Sequence, residues 1–114
     1  GVAAGKRILS KKVVKEFTAV QYPDTENRRG LGFDKPLLGN DTLHIEAAYP
    51  SPRASPQSFG HAGFTGTFAW ADPENQLVFI FLSNRVHPSR DHRQLYELKL
   101  RTKLQDVFYA ALEQ

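Results

Sequence analysis

The 114 residues contain no cysteine and no methionine, and no apolar run approaches the roughly 18–20 residues that a bilayer-spanning helix requires. Without cysteine there can be no disulfide, no thiolate metal ligand and no cysteine nucleophile. The missing methionine bears on the start of the chain. Gly1-Val2-Ala3-Ala4 has no initiator and no secretory-signal pattern, so the chain is expected to be a piece of a longer protein, its N-terminus made by processing or by cutting. A dinucleotide fingerprint is also missing, because Gly60, Gly63 and Gly66 recur every three residues instead of as G-x-G-x-x-G. Metal-ligand spacing is equally lacking. His87 and His92 flank Pro88, His44 is remote, and no His-x-x-x-His pair exists, so neither metal nor cofactor is expected.

Charge is modest, with a formal net of +3 and a pI near 9.3. Lys99, Arg101 and Lys103 gather near the C-terminus, with Arg90 and Arg93 upstream. No aromatics or glycines interleave them along the sequence as a nucleic-acid platform requires. They read as a solvated helix face, and no nucleic-acid partner is expected.

What is present suffices for a core: 40% of residues are hydrophobic and 11% aromatic, in a length that suits one domain or part of one. Ser10 stands where a helix N-cap belongs and Val13, Val14 and Phe17 follow at helical spacing, predicting a helix over 10–19 that Pro23 stops. After a charged loop at 23–30, Leu31 and Phe33 alternate in a short strand at 30–35. Prolines 36, 50, 52 and 56 mark a loop excursion over 35–58, interrupted by a short strand at 43–47. Phe64, Gly66, Phe68 and Trp70 alternate with Thr65, Thr67, Ala69 and Ala71, predicting a strand over 63–71. Asp72-Pro73-Glu74-Asn75 is a turn by composition. Residues 76–84 follow as a strand that is apolar on both faces and therefore central and covered on both sides. Asp91 and Gln94 resemble a capping box for a helix over 92–112, with Leu100, Leu104, Val107, Phe108 and Ala111 on one face. Trp70 and the phenylalanines read as core. The fold class is α+β, an antiparallel sheet in the order 30–35, 63–71, 76–84 with the N- and C-terminal helices packed on one face.

The chemistry concentrates at Ser58-Phe59-Gly60-His61-Ala62-Gly63-Phe64-Thr65-Gly66-Thr67. Glycine inside a strand marks a bulge or a close approach of a ligand or another chain, so a cleft beside this strand is expected. On the residues alone, His61 is as readily a structural histidine at a strand start as an active-site group. The stretch 60–67, with Asp72-Pro73-Glu74 and Leu77 to Asn84, resembles the C-terminal part of the β-lactamase and penicillin-binding-protein serine hydrolases. Within them it is most similar to the class C-like branch of esterases and D-amino-acid peptidases. The wording at 61–67 and 81–85 also resembles the β-lactamase-type module fused behind family 3 glycoside hydrolases in some gut bacteria.

The resemblance covers most of residues 8–112. It implies that Gly30-Leu31-Gly32-Phe33 forms a first strand and that His61-Ala62-Gly63 fills the third motif, Lys-Thr-Gly or His-x-Gly. Ala62 stands where threonine is common. It further implies catalytic roles for His61 and for the Phe64 backbone N–H, half of an oxyanion hole, with Gly60, Ala62, Gly63 and Thr65 binding substrate. The nucleophilic Ser-x-x-Lys is missing, since Ser10, Ser55 and Ser83 are followed at that spacing by Val13, Ser58 and Val86. No tyrosine has asparagine two positions on; Tyr22-Pro23-Asp24 is nearest. The implied partner is therefore a missing N-terminal part of the same protein, which would carry the nucleophile and pair with the free edge of 76–84. Left alone, the chain is expected to form a homodimer or to aggregate through that edge or the adjoining exposed core. The implied substrate is a small or peptide-like amide or ester, and the implied location is the bacterial periplasm or cell envelope. The competing function is a non-catalytic binding or interaction module on the same fold.

Overall fold

The structure is a computed structural model and describes residues 1–113. It opens with a two-stranded ribbon that the sequence reading does not contain: β1 (Val2–Ala3) pairs antiparallel with β2 (Lys6–Arg7). Ala4 and Gly5 turn the chain with φ of 48° and 74°, the left-handed pair that a two-residue hairpin loop uses. Strands of two residues are too short to show a period.

Helix α1 (Lys11–Thr18) forms where expected. The Ser10 hydroxyl accepts the Val13 N–H at 3.1 Å, satisfying one of the unpaired donors of the first turn. The returning chain crosses its C-terminal end, where Leu31 N–H donates to Phe17 O at 2.9 Å and Gln21 N–H to Arg29 O at 3.0 Å. A Cβ at Gly30 would lie 2.7 Å from the Phe17 carbonyl, so only glycine permits this crossing.

The main sheet comprises β3 (Phe59–Ala62), β4 (Phe68–Asp72) and β5 (Leu77–Phe81) in that order, all antiparallel. It corrects three expectations. The alternating run 63–71 is not one strand; residues 63–67 form the loop of a β3–β4 hairpin, and the period-2 pattern merely continues through it. The segment 30–35 contributes a single bridge, Asp34 to Gly60, and the third strand is 59–62 instead. The strand at 43–47 does not form, and turns with a 3-10 turn at Asn40–Thr42 replace it.

Register pairs Gly60 with Trp70 and Trp70 with Phe79, putting Phe68, Trp70, Asp72 and Phe79 on one face. That face is the core, with Phe68 stacked on Trp70 at 5.4 Å and Tyr49 edge-on to both. The opposite face carries His61, Ala69, Val78 and Ile80. Strand β5 is an edge strand, not a central one: Val78, Ile80 and Leu82 are 68%, 62% and 79% exposed.

The C-terminal helical stretch is interrupted. Helix α2 (Gln94–Glu97) and α3 (Leu100–Leu112) meet at Lys99, whose φ of 52° breaks the helix. Asp91 does not cap it; its carboxylate accepts from Ser89 Oγ, and Arg93 occupies the cap position. Helix α3 lies against the core face, with Phe108 at 5.4 Å from Phe79.

Residues 35–58 are irregular but built into the interior. Ser51, Ser55 and Ser58 are buried, and each is hydrogen-bonded. Asp72 on the sheet is the counterpart of Ser55. Its carboxylate accepts from the Ser55 N–H (2.8 Å), the Ser55 hydroxyl (2.7 Å), the Tyr109 hydroxyl (2.7 Å) and the Asn75 amide (3.0 Å). Burial pushes this carboxyl upward, but the donors outweigh it and hold the pKa down to about 2. Burial and the neighbouring carboxylate push the Tyr109 hydroxyl well above its ordinary range.

Candidate active site

The loop joining β3 to β4 is closed by Gly63 N–H to Thr67 O at 2.7 Å and by Gly66 N–H to Gly63 O at 3.0 Å. This is a three-residue hairpin loop, Phe64-Thr65-Gly66, whose last position needs a left-handed backbone; Gly66 supplies it with φ of 93°. Gly63 and Gly66 thus have their N–H groups engaged. Among the described residues the Phe64 N–H between them donates to no acceptor. It is a rigidly mounted, unclaimed donor.

Beside it, among the described residues, the outer edge of β3 is paired only at Gly60, by Asp34 N–H to Gly60 O (2.7 Å) and Gly60 N–H to Asp34 O (3.1 Å). In an antiparallel strand the next residue facing that way is Ala62, whose N–H is open at the edge. His61 is exposed on the outer face, and its Nδ1 donates to Ala62 O at 2.8 Å. A carbonyl only accepts, so Nδ1 carries the proton and Nε2 of the neutral ring is left as an acceptor.

The glycines flanking His61 have internal reasons. A Cβ on Gly60 would overlap the Ala69 carbonyl and the Trp70 indole, so the group that approaches this backbone is the neighbouring strand's own tryptophan. At Gly63 a Cβ would stand 2.5 Å from Thr67 Oγ1. The bridge at Gly60 is anchored by Asp34, which meets Arg29 at 3.0 Å and Arg28 at 3.8 Å and receives the Tyr49 hydroxyl at 3.4 Å. Burial, more than the Asp34 charge, pushes the Tyr49 hydroxyl up to about 12.

Sequence reasoning missed the support of the loop. Phe64 is 64% exposed, with the Arg85 guanidinium 4.9 Å and the Arg90 guanidinium 5.9 Å from its ring. Arg85 also lies 4.8 Å from the Tyr96 ring; Arg101 lies 5.0 Å from the same ring and 5.7 Å from Phe68. Arg90, Phe64, Arg85, Tyr96, Arg101 and Phe68 therefore form a column of alternating cations and rings from the loop to the core. Arg101 is not on a solvated face: it is half-buried, and its guanidinium reaches Gly66 O at 3.5 Å. Sequence order hides the interleaving because the aromatics and the arginines come from different segments.

The structure brings His61, Ala62, Gly63 and Phe64 together at one end of β3. Gly60 sits below them in the ladder, and the Thr65 carbonyl is held by the Arg85 N–H (2.9 Å) and Ser83 Oγ (3.2 Å). Among the described residues no Ser-x-x-Lys nucleophile joins them: the Ser83 hydroxyl lies beside the loop but is spent on Thr65 O. Ser55 is committed to Asp72, and Ser10 to its helix cap. Buried Lys35, its pKa lowered by burial, donates to Gln57 O at 2.9 Å. Among the described residues no three His, Asp or Glu side chains cluster as a metal site, and no helix is long and apolar enough to cross a membrane.

A model of the family described as Beta-lactamase matches residues 2–103. Two Escherichia coli proteins, each named "Putative D-alanyl-D-alanine carboxypeptidase", are similar over 81 residues. The O157:H7 protein is 36% identical and the K12 protein 40%, over 71% of this chain and 17% of either relative. A Salmonella paratyphi B protein of the same name is 50% identical over 34 residues, 30% of this chain and 8% of that protein. No solved structure matches the chain. The chain thus spans about a sixth of the length of the E. coli relatives, at 17%.

Proposed function

The chain belongs to the β-lactamase family, and on that premise we propose that it forms one wall of a serine acyl-transfer site acting on an amide or ester. A peptide ending in D-alanine, the substrate class in the relatives' names, is the favoured example. The observation that carries this reading is the unclaimed Phe64 N–H at the open end of β3. A backbone donor fixed by two hydrogen bonds of its own loop needs no reorganisation when an acyl oxygen becomes negative, which is what an oxyanion hole requires. The open edge at Ala62 would receive the extended part of a substrate as an added strand. His61, with Nδ1 committed to Ala62 O, would present Nε2 to a substrate anion or a transferring proton. In this reading Gly60, Gly63 and Thr65 shape the wall and do not contact the reacting atoms.

The nucleophile and its base would come from elsewhere in a longer protein, working at the cell envelope where peptides ending in D-alanine occur. The test has two arms. This chain alone should not turn over a chromogenic cephalosporin or a nitrophenyl ester. In the longer protein His61→Ala should lower kcat/KM by about ten- to a thousandfold, the range for losing one preorganised polar contact. Turnover by the chain alone, or an unaffected variant, refutes the assignment. A longer protein lacking both Ser-x-x-Lys and Tyr-x-Asn would instead establish the non-catalytic module.

A further inference from the structure

We propose that Arg85 is a positioning residue for the Phe64 N–H, acting through the hairpin loop without touching substrate. The proposal rests on the oxyanion reading above.

Arg85 joins three segments. Its backbone N–H donates to Thr65 O at 2.9 Å, which fixes the loop carbonyl next to the Phe64–Thr65 peptide. Its Nε donates to the Tyr96 hydroxyl at 2.7 Å, tying it to α2. Its terminal nitrogen donates to Arg90 O at 2.9 Å and His92 O at 3.3 Å, tying it to the loop before α2. Its guanidinium carbon lies 4.9 Å from the centre of the Phe64 ring and 4.8 Å from that of Tyr96. Among the described residues no carboxylate pairs with it, so its donors serve carbonyls, a phenol and two rings.

The geometry has a functional sense. A hairpin loop of three residues is held at its base by the β3–β4 ladder and its own two hydrogen bonds, and the contacts of Arg85 add the hold at its tip, without which it could rock. Phe64 is the second residue of the Gly63–Gly66 turn, so any rocking swings its N–H. Arg85 acts on both sides of that residue: its side chain holds the ring of Phe64, and its backbone N–H, which substitution keeps, holds the carbonyl of Thr65. Lysine cannot replace it, because a point charge cannot hold the phenol, two carbonyls and two ring faces with one planar group.

The experiment uses the longer protein, a nitrophenyl ester as substrate, and active-site titration so that rates are per competent site. Phe64→Pro serves as reference, since proline is favoured at the second position of such a turn and removes the N–H; Phe64→Ala, which keeps the N–H, controls for the ring that proline also removes. The expected results are a fall in kcat of about ten- to a hundredfold for Arg85→Ala, with KM within about twofold, no rescue by Arg85→Lys, and a smaller fall for Tyr96→Phe. The affinity of a boronic acid analogue should fall in parallel with kcat/KM. A severe loss in Phe64→Pro with kcat per titrated site unchanged in Arg85→Ala and Tyr96→Phe overturns this proposal alone. An unaffected Phe64→Pro overturns the oxyanion reading and this proposal with it.

Discussion

Replacing Asp72 by asparagine tests the account of the interior. The carboxylate is 1% exposed and receives six donors: Oδ2 takes the Ser55 N–H, Asn75 Nδ2 and Tyr109 hydroxyl, and Oδ1 takes the Ser55 hydroxyl and the Glu74 and Asn75 N–H groups. Asparagine keeps one acceptor and turns an NH2 toward donors that have nowhere else to go. The shift of the carboxyl from 3.8 to about 2 corresponds to about 2 kcal/mol of preference for the charged form. Leaving a buried donor unpaired adds about 1–3 kcal/mol, so D72N should lose roughly 3–5 kcal/mol in all. For a domain of this size that is a fall in melting temperature of roughly 12–30 °C. The sign of the pH dependence follows from the depressed folded value. The contribution is complete above the unfolded carboxyl pKa of 3.8 and is lost as pH falls toward about 2. Thermal and urea unfolding at pH 7 and between pH 5 and 2 should show wild type converging on D72N in acid. A melt within about 2 °C of wild type at pH 7, or a gap as wide at pH 2, would refute the reasoning.

Two further outcomes follow from the sheet. Gly60→Ala should destabilise by several kcal/mol, because the new methyl meets the rigid Ala69 carbonyl as well as the Trp70 indole; a red-shifted Trp70 emission would accompany the loss, and an unchanged melt and emission would count against the packing described. The bare outer face and free edge of β5 should make the isolated chain associate, so Ile80→Lys should lower the mass seen by light scattering. A monodisperse wild-type monomer at high concentration would sink that expectation.

The parts of the fold that were legible are those whose signal is local. Ser10 with Val13, Val14 and Phe17 placed α1 to within a residue at each end, because a cap and a helical period are both written in consecutive residues. The turn at 72–75 was legible for the same reason, and Asp72 accepts the N–H groups of Glu74 and Asn75 there. What failed was whatever depends on a neighbour distant in sequence. The alternation from Phe64 to Trp70 is genuine, yet Gly66 turns the chain within it, and period alone does not reveal a three-residue loop. The apolar run at 77–81 reads as central, but whether it is covered depends on other chain. Lys99 gives no warning of a break, since nothing in its side chain favours a positive φ. At the site, the His61–Phe64 cluster was visible as a motif. The role of Arg85 was not, because rings from residues 64 and 96 meet it only in the folded molecule.

The interior hydrogen bonds of the irregular segment bear on the order in which the molecule can assemble during synthesis. Ser51 N–H is satisfied by Gln105, the Ser51 hydroxyl by Asp106, and the carboxylate that holds Ser55 is completed by Tyr109. Each partner lies in α3, more than fifty residues after the serine at 51. As the chain emerges from the ribosome N-terminus first, the β3–β5 meander can pair as soon as residue 81 is out, since its contacts are between adjacent segments. The stretch around Ser51 cannot: its backbone must stay hydrated, or be shielded by other chain or a chaperone, until α3 arrives. A nascent chain arrested before residue 105 should therefore be cut by protease around 50–58 while its meander resists, and the completed chain should resist at both.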